Sequence, residues 1–260
     1  MGRIRVCDAP LPSELPETVE GFLRWLGGPA LLRRRGRDPS RLRAVATLLH
    51  GNEPSGIRAL HRWLASGQVP YAGAAIFIGS VEAALADPGF HHRALPGRRD
   101  LNRCFVPPCD GDEPEVAHEA LALLDSLGPE SLADLHNTSG ETPPFALGPT
   151  LDAPHLAIAG CFCTRYVWSD LRIGSLVEAT HAGYPSIVVE CGRFADPAAD
   201  EVAYRGLVRY LSEEPASSGP EPSREIFRSS VRVCLRPGLG LAFGEAPHPR
   251  ADVTVMPALD

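Results

Sequence analysis

His50 and Glu53 stand three residues apart in the run His50-Gly51-Asn52-Glu53. A neutral imidazole and a carboxylate suit a zinc ion, and a catalytic zinc site takes three protein ligands and leaves one position open. The chain holds candidates for the remaining parts. His136 can supply a second imidazole, and Asp134, two residues earlier on the same strand, points the same way and can orient its ring. Glu190 is a carboxylate at the end of an apolar run, where a proton acceptor beside a metal would sit. Asn102-Arg103 joins a fixed amide donor to a two-pronged guanidinium, a combination that grips a carboxylate. Arg93, Arg98 and Arg99 can each polarise a carbonyl, and spacing alone does not choose among them. Each residue also has a plainer role open to it: His50 and Glu53 as a helix-start pair, His136 as a hydrogen-bonded core residue, Glu190 in a salt bridge with Arg193, and Asn102-Arg103 in a surface ion pair.

The elements around these residues favour the chemical reading. Residues 44–49 form an apolar run that reads as a buried strand ending at His50. Pro54-Ser55-Gly56 then opens a helix with Ile57, Leu60 and Leu64 on one face. A strand is predicted over 74–78 and a short helix over 80–86. Residues 90–108 lack periodicity and read as a long functional loop. Pro114 starts a helix that Gly128-Pro129 stops, and a strand over 132–135 runs into His136. Another strand is expected over 156–159, a helix over 171–182, a strand over 186–189 that ends on Glu190, and a helix from Pro197. Near the start, Val19, Phe22, Leu23 and Leu26 place a helix over 16–28.

Strands alternating with helices imply an α/β fold with a mostly parallel or mixed sheet and helices on both faces. His50, His136 and Glu190 then lie at the carboxyl ends of three strands, the edge where open α/β sheets bind ligands. Residues 215–223 read as a linker, dividing an α/β domain over 1–214 from a small β-rich unit over 224–260. In that unit Val231, Val233 and Leu235 alternate with polar residues, and Val253-Thr254-Val255 is a further strand.

The 260 residues carry a formal net charge of -7, so no basic surface argues for a nucleic-acid partner. No apolar run is long enough to cross a bilayer, and the N-terminal residues have no signal-peptide core. The seven cysteines are scattered without a paired C-x-x-C, which fits reduced thiols in a cytoplasmic protein. Nothing excludes a homo-oligomer.

Four motifs together resemble one family. His50-Gly51-Asn52-Glu53, Asp100-Leu101-Asn102-Arg103-Cys104-Phe105, Asp134-Leu135-His136-Asn137-Thr138 and Val189-Glu190-Cys191-Gly192 resemble, in order, the motifs of the succinylglutamate desuccinylase and aspartoacylase family, which is related to the zinc carboxypeptidases. The resemblance implies a zinc carboxypeptidase-like fold and a deacylase that cleaves the amide bond of a small N-acyl amino acid. It implies one zinc ion held by His50, Glu53 and His136. It also implies that Glu190 activates the water, and that Asn102 and Arg103 hold a substrate carboxylate. The family usually has a carbonyl-polarising arginine where this chain has Leu95, and Arg98 is the expected substitute. Aspartoacylase-like members have a substrate-binding arginine where this chain has Thr180. A carboxypeptidase-like peptidase is the nearest alternative. A cysteine hydrolase using Cys191 with His181, and a non-catalytic metal-dependent binding domain, are the more distant ones.

Overall fold

A computed structural model describes residues 2–107, 110–194, 196–212, 225–228, 236, 238–243, 247 and 249–255. Along the chain the strands are β1 (Arg5–Asp8), β2 (Ala30–Arg34), β3 (Asp38–Thr47), β4 (Ala72–Ile78), β5 (Leu132–Thr138), β6 (Phe145–Gly148), β7 (Arg165–Trp168), β8 (Ser186–Arg193), β9 (Glu225–Arg228), β10 (Leu241–Phe243) and β11 (Val253–Val255). The helices are α1 (Val19–Leu26), α2 (Ser55–Ala65), α3 (Val81–Leu85), α4 (Asp112–Leu127), α5 (Ala153–Phe162), α6 (Leu176–Thr180) and α7 (Pro197–Ser212), and a single 3-10 turn covers Leu101–Arg103. Among the described residues, nine strands form one sheet in the order β1-β2-β4-β3-β5-β8-β6-β7-β9. Most neighbours are parallel; β2 with β4 and β6 with β8 are antiparallel. The expected α/β fold with a mixed, mostly parallel sheet is the fold observed.

The central strands are apolar on both faces because helices cover both. Val45, Ile76, Leu135 and Val189 point into a core shared with α1, α2, α5 and α7. On the other face of the same strands Ala46, Phe77, Leu132 and Val188 point into a second core with α4 and α6. Such two-faced burial is what a continuous hydrophobic run in a parallel sheet predicts. Helix α2 lies so close on the sheet that a Cβ at Gly56 would sit 2.2 Å from Thr47 Oγ1 and 2.9 Å from the Cβ of Leu135. Only a hydrogen fits there, which draws the start of α2 down against the ends of β3 and β5.

Several predicted elements differ. Residues 156–159 belong to helix α5, whose N-cap Asp152 accepts a hydrogen bond from the His155 backbone N–H. A short apolar run does not distinguish helix from strand, and here the cap decides. Of the helix expected over 171–182, only Leu176–Thr180 is helical; the preceding residues form a loop. In that loop Gly174 takes a φ of +78° and passes so close to Arg103 that a Cβ would meet its carbonyl oxygen at 2.7 Å. The outer strands β1, β2, β6 and β7 have no counterpart among the predicted elements, and β9 falls within the segment expected to be β-rich. The linker expected over 215–223 and the strand residues Val231, Val233 and Leu235 lie outside the described residues. Val253–Val255 does form a strand and pairs with β10, while β9 joins the main sheet through β7. Among the described residues no helix is long and apolar enough to cross a membrane.

Candidate functional site

The site forms where β3, β5 and β8 end side by side. β3 stops at Thr47, and the buried Leu48 adopts a φ of +56°. A branched side chain rarely accepts that backbone region, so the turn is held by its surroundings. It carries His50 and Glu53 over the sheet edge before α2 begins. On the neighbouring strands, His136 is the register partner of Glu190, so the two side chains share a face. Asn137 ties the three segments together. Its Oδ1 accepts from the Ser55 N–H, and its Nδ2 donates to Ser55 Oγ and to the Gly192 carbonyl.

Glu53 is the hub. Its Oε1 lies 2.9 Å from His50 Nδ1 and its Oε2 lies 2.7 Å from His136 Nδ1. One ligand atom from each of the three residues falls within 4.8 Å of the others, and all three residues are buried. The far nitrogen of each ring lies near an aspartate: His50 Nε2 is 3.1 Å from Asp100 Oδ1 and also 2.6 Å from Arg93 Nη2, and His136 Nε2 is 2.9 Å from Asp134 Oδ2. An imidazole whose second nitrogen faces a carboxylate is oriented and made a better donor, as metal-ligating histidines usually are. This donor set of two imidazoles and one carboxylate, buried and pre-oriented, fits a zinc ion.

The charges are set by burial against close partners. Burial pushes the Glu53 carboxyl up, but His136 and His50 outweigh it and hold the group far below the usual range. Burial disfavours a charged His136, yet Asp134 and Glu53 raise it well above its ordinary value. Asp100 is pushed up by burial, and is held far down by His50, Arg93 and Arg103. Glu190 differs from these carboxylates. Burial lifts it to about 7, with His136 opposing the shift, and its Oε2 is buried without a hydrogen-bond partner among the described residues. A carboxyl that titrates near neutrality with a vacant oxygen can both accept and return a proton.

These residues open on a cavity of about 860 Å³ lined also by Arg93, Asn102, Arg103, the 138–143 segment, the 169–173 loop and the outer strands. Arg103 donates to its neighbour's carbonyl, that of Asn102, at 2.7 Å. Asn102 is buried; its Oδ1 accepts from the Leu176 N–H, and its Nδ2 lies 3.4 Å from His136 Nε2. Its amide therefore anchors α6 beside the histidine. Arg98, the residue expected to polarise the carbonyl, is not brought here. It pairs with Asp112 and with Glu113 at 2.8 Å, and lines a separate cavity of about 270 Å³ together with Leu95 and Arg99. Arg93 is the arginine that arrives: its Nε donates to Asp100 Oδ2 at 2.9 Å and its Nη1 lies 3.3 Å from Glu53 Oε1. The difference arises because Asp100 and Glu53 sit on the site side of the loop, whereas Asp112 and Glu113 open α4 on the other side.

Cys191 lies in the core on the opposite face of β8, and burial pushes its thiol well above the ordinary value. It does not line the cavity that His181 lines, so a Cys191–His181 pair has no geometry to act. Thr180 is buried, donating to the Leu176 carbonyl and to Ser186 Oγ. Asp100 and Asn137 have no chemical signature of their own in the sequence beyond their place inside two of the family-like motifs.

A model of the "Succinylglutamate desuccinylase/Aspartoacylase catalytic domain" matches residues 44–206. A search of curated proteins finds no match. Among solved structures, the succinylglutamate desuccinylase of Vibrio parahaemolyticus aligns with a TM-score of 0.66 at 17% identity, covering 83% of this chain and 71% of that one. That of Vibrio cholerae gives 0.66 at 15% identity, covering 88% and 80%. The product-bound ectoine utilization protein EutE (DoeB) of Ruegeria pomeroyi gives 0.56 at 20% identity, covering 76% and 64%. At these identities the likeness is one of fold.

Proposed function

The chain belongs to the succinylglutamate desuccinylase/aspartoacylase family, and on that footing we propose that it is a zinc-dependent hydrolase cleaving the amide bond of a small N-acyl amino acid. The observation that carries this reading is the pairing of His136 with Glu190 across β5 and β8, beside the His50–Glu53–His136 cluster and with one Glu190 oxygen unpartnered. His50 Nδ1, His136 Nδ1 and the Glu53 carboxylate would hold the ion. A bound zinc supplies Lewis-acid polarisation and lowers the pKa of water to about 7.

The remaining roles belong to side chains of this protein. Glu190 Oε2 takes a proton from the attacking water. The water oxygen bonds to the carbonyl carbon, the C–N bond breaks, and Glu190 returns the proton to the leaving amine nitrogen. Arg93 sits beside Glu53 and stabilises the charge growing on the carbonyl oxygen. Arg103 grips the substrate carboxylate, with Asn102 positioning the loop behind it. Asp100 and Asp134 keep the two imidazoles in register. The free cysteines at 7, 104, 161, 163 and 191 suit a reducing compartment such as the cytoplasm.

The test is metal analysis of the purified protein with a panel of N-acyl amino acids, assayed before and after chelation and after zinc is restored. One equivalent of zinc and chelator-sensitive, zinc-restored hydrolysis are expected. A zinc-loaded protein that cleaves no N-acyl amino acid but trims short peptides from a free carboxyl end would make it a metallopeptidase instead.

A further inference from the structure

The strand register carries an apolar floor outward from Glu190. Glu190 on β8 faces Phe145 on β6 as register partner. In the next row Val188, Leu147, Val167 and Phe227 are successive partners across β8, β6, β7 and β9. Directly opposed residues share a face of a sheet, so these five apolar side chains run from the Glu190 carboxyl towards the sheet edge. All five line the cavity, and Leu171, Ile173 and Val177 line it from the loop and helix ahead of β8.

The cations of this arm are already matched. Arg165 Nε lies 2.8 Å from Glu225 and Arg172 Nη1 lies 3.8 Å from Glu178. Among the described residues lining the cavity, the remaining guanidiniums are Arg93 and Arg103, and the hydrolase reading assigns these to the carbonyl and the substrate's α-carboxylate. Among the described residues the guanidiniums of this arm face carboxylates and His181 is the further basic side chain on the cavity wall, so a second substrate carboxylate lying against Val188, Leu147 and Val167 would lose its water to apolar contacts.

Resting on the hydrolase reading above, we infer that the amino acid released by this protein carries an apolar side chain seated on the Phe145–Leu147–Val167 floor. The side follows from the proton path. Glu190 returns its proton to the leaving amine, so that nitrogen lies against Glu190. The side chain, one carbon further on, meets the floor where it begins.

The zinc-loaded protein is given N-acetyl-L-leucine, N-acetyl-L-phenylalanine and N-acetyl-L-methionine beside N-acetyl-L-aspartate, N-acetyl-L-glutamate and N-acetylglycine. The kcat/KM for the apolar set is expected to exceed that for the acidic pair by about tenfold or more, the scale at which a hydrophobic pocket discriminates. Leu147→Arg is expected to narrow or invert that ratio. Should Leu147→Arg fail to fold, Val167→Thr replaces one methyl by a hydroxyl at nearly constant shape; it is expected to lower kcat/KM several-fold more for the apolar set than for N-acetylglycine. Preference for the acidic pair by the unmodified protein overturns the inference and leaves the hydrolase reading standing. If no substrate in the panel is cleaved, acetyl is not the acyl group this protein removes, and the hydrolase reading is decided by the wider N-acyl panel above. The floor is then judged by the melting temperature alone: a larger rise with free L-leucine or L-phenylalanine than with L-aspartate supports it, and an equal or smaller one overturns it.

Discussion

Glu190→Gln is expected to remove activity while making the metal-free protein more stable. Glutamine keeps the size of the side chain but neither accepts nor returns a proton. General acid–base catalysis contributes about 10²–10⁴-fold, so kcat/KM should fall by that factor, about 3–5 kcal/mol of transition-state stabilisation. Stability moves the opposite way. Burial raises the folded-state Glu190 from 4.5 to about 7. As pH rises past 4.5 the unfolded chain ionises this carboxyl first, so folding loses stability from there up to about 7, and the full loss persists above it. At about 1.4 kcal/mol per pH unit between the two values, that loss is about 3 kcal/mol. Glutamine does not titrate and escapes it. Urea unfolding of chelator-treated wild type and variant should therefore show the variant more stable by up to about 3 kcal/mol at pH 8, with the gap closing by pH 5. A gap that is the same at both pH values would refute the burial argument. A variant that keeps nearly all of its kcat/KM would refute the proton-transfer role, and with it the catalytic reading.

Other perturbations probe the rest of the site. His136→Ala should abolish stoichiometric zinc in metal analysis, because it removes one of three ligands; retention of a full equivalent would disprove the assignment. Asp134→Asn leaves the ligands in place but weakens the hold on His136 Nε2, so competition with a chelator should show zinc affinity about 10–100-fold lower. Arg93→Ala should lower kcat by about 10²–10³, whereas Arg98→Ala, whose partners are Asp112 and Glu113, should change kcat far less; the reverse order would return the role to Arg98. Away from the site, burial pushes Glu130 up but hydrogen bonds from Arg41 and Arg43 outweigh it and hold it below its ordinary value. Its contribution is therefore present at neutral pH and fades as pH falls through the lowered value. Glu130→Gln leaves Arg43, which is buried, without that carboxylate, and should cost about 1–3 kcal/mol at pH 7, less near pH 3, by urea unfolding at the two pH values.

The middle of the sheet was legible in the amino-acid pattern and its edges were not. The runs at 44–49, 74–78, 132–135 and 186–189 are apolar on both faces, and continuous hydrophobicity of that length survives in the sequence as a strand signal. β1, β6, β7 and β9 have four residues each and β2 has five, too few to show a period against their surroundings. The four apolar residues at 156–159 fit either period, and the cap that makes them helical depends on the Asp152 side chain.

Residue types and their order along the chain were enough to nominate His50, Glu53, His136 and Glu190, because each follows an apolar run and a parallel sheet sends such runs to one edge, although β5 and β8 continue past His136 and Glu190 to Thr138 and Arg193. The choice between Arg93 and Arg98 was not in the sequence. Both are arginines on one loop, and only the folded positions of Asp100 and Glu53 on one side and Asp112 and Glu113 on the other direct each guanidinium to its place. The floor beyond Glu190 was equally invisible. It is assembled from four short strands distant in the chain, and their shared face exists only once the hydrogen-bond register is fixed.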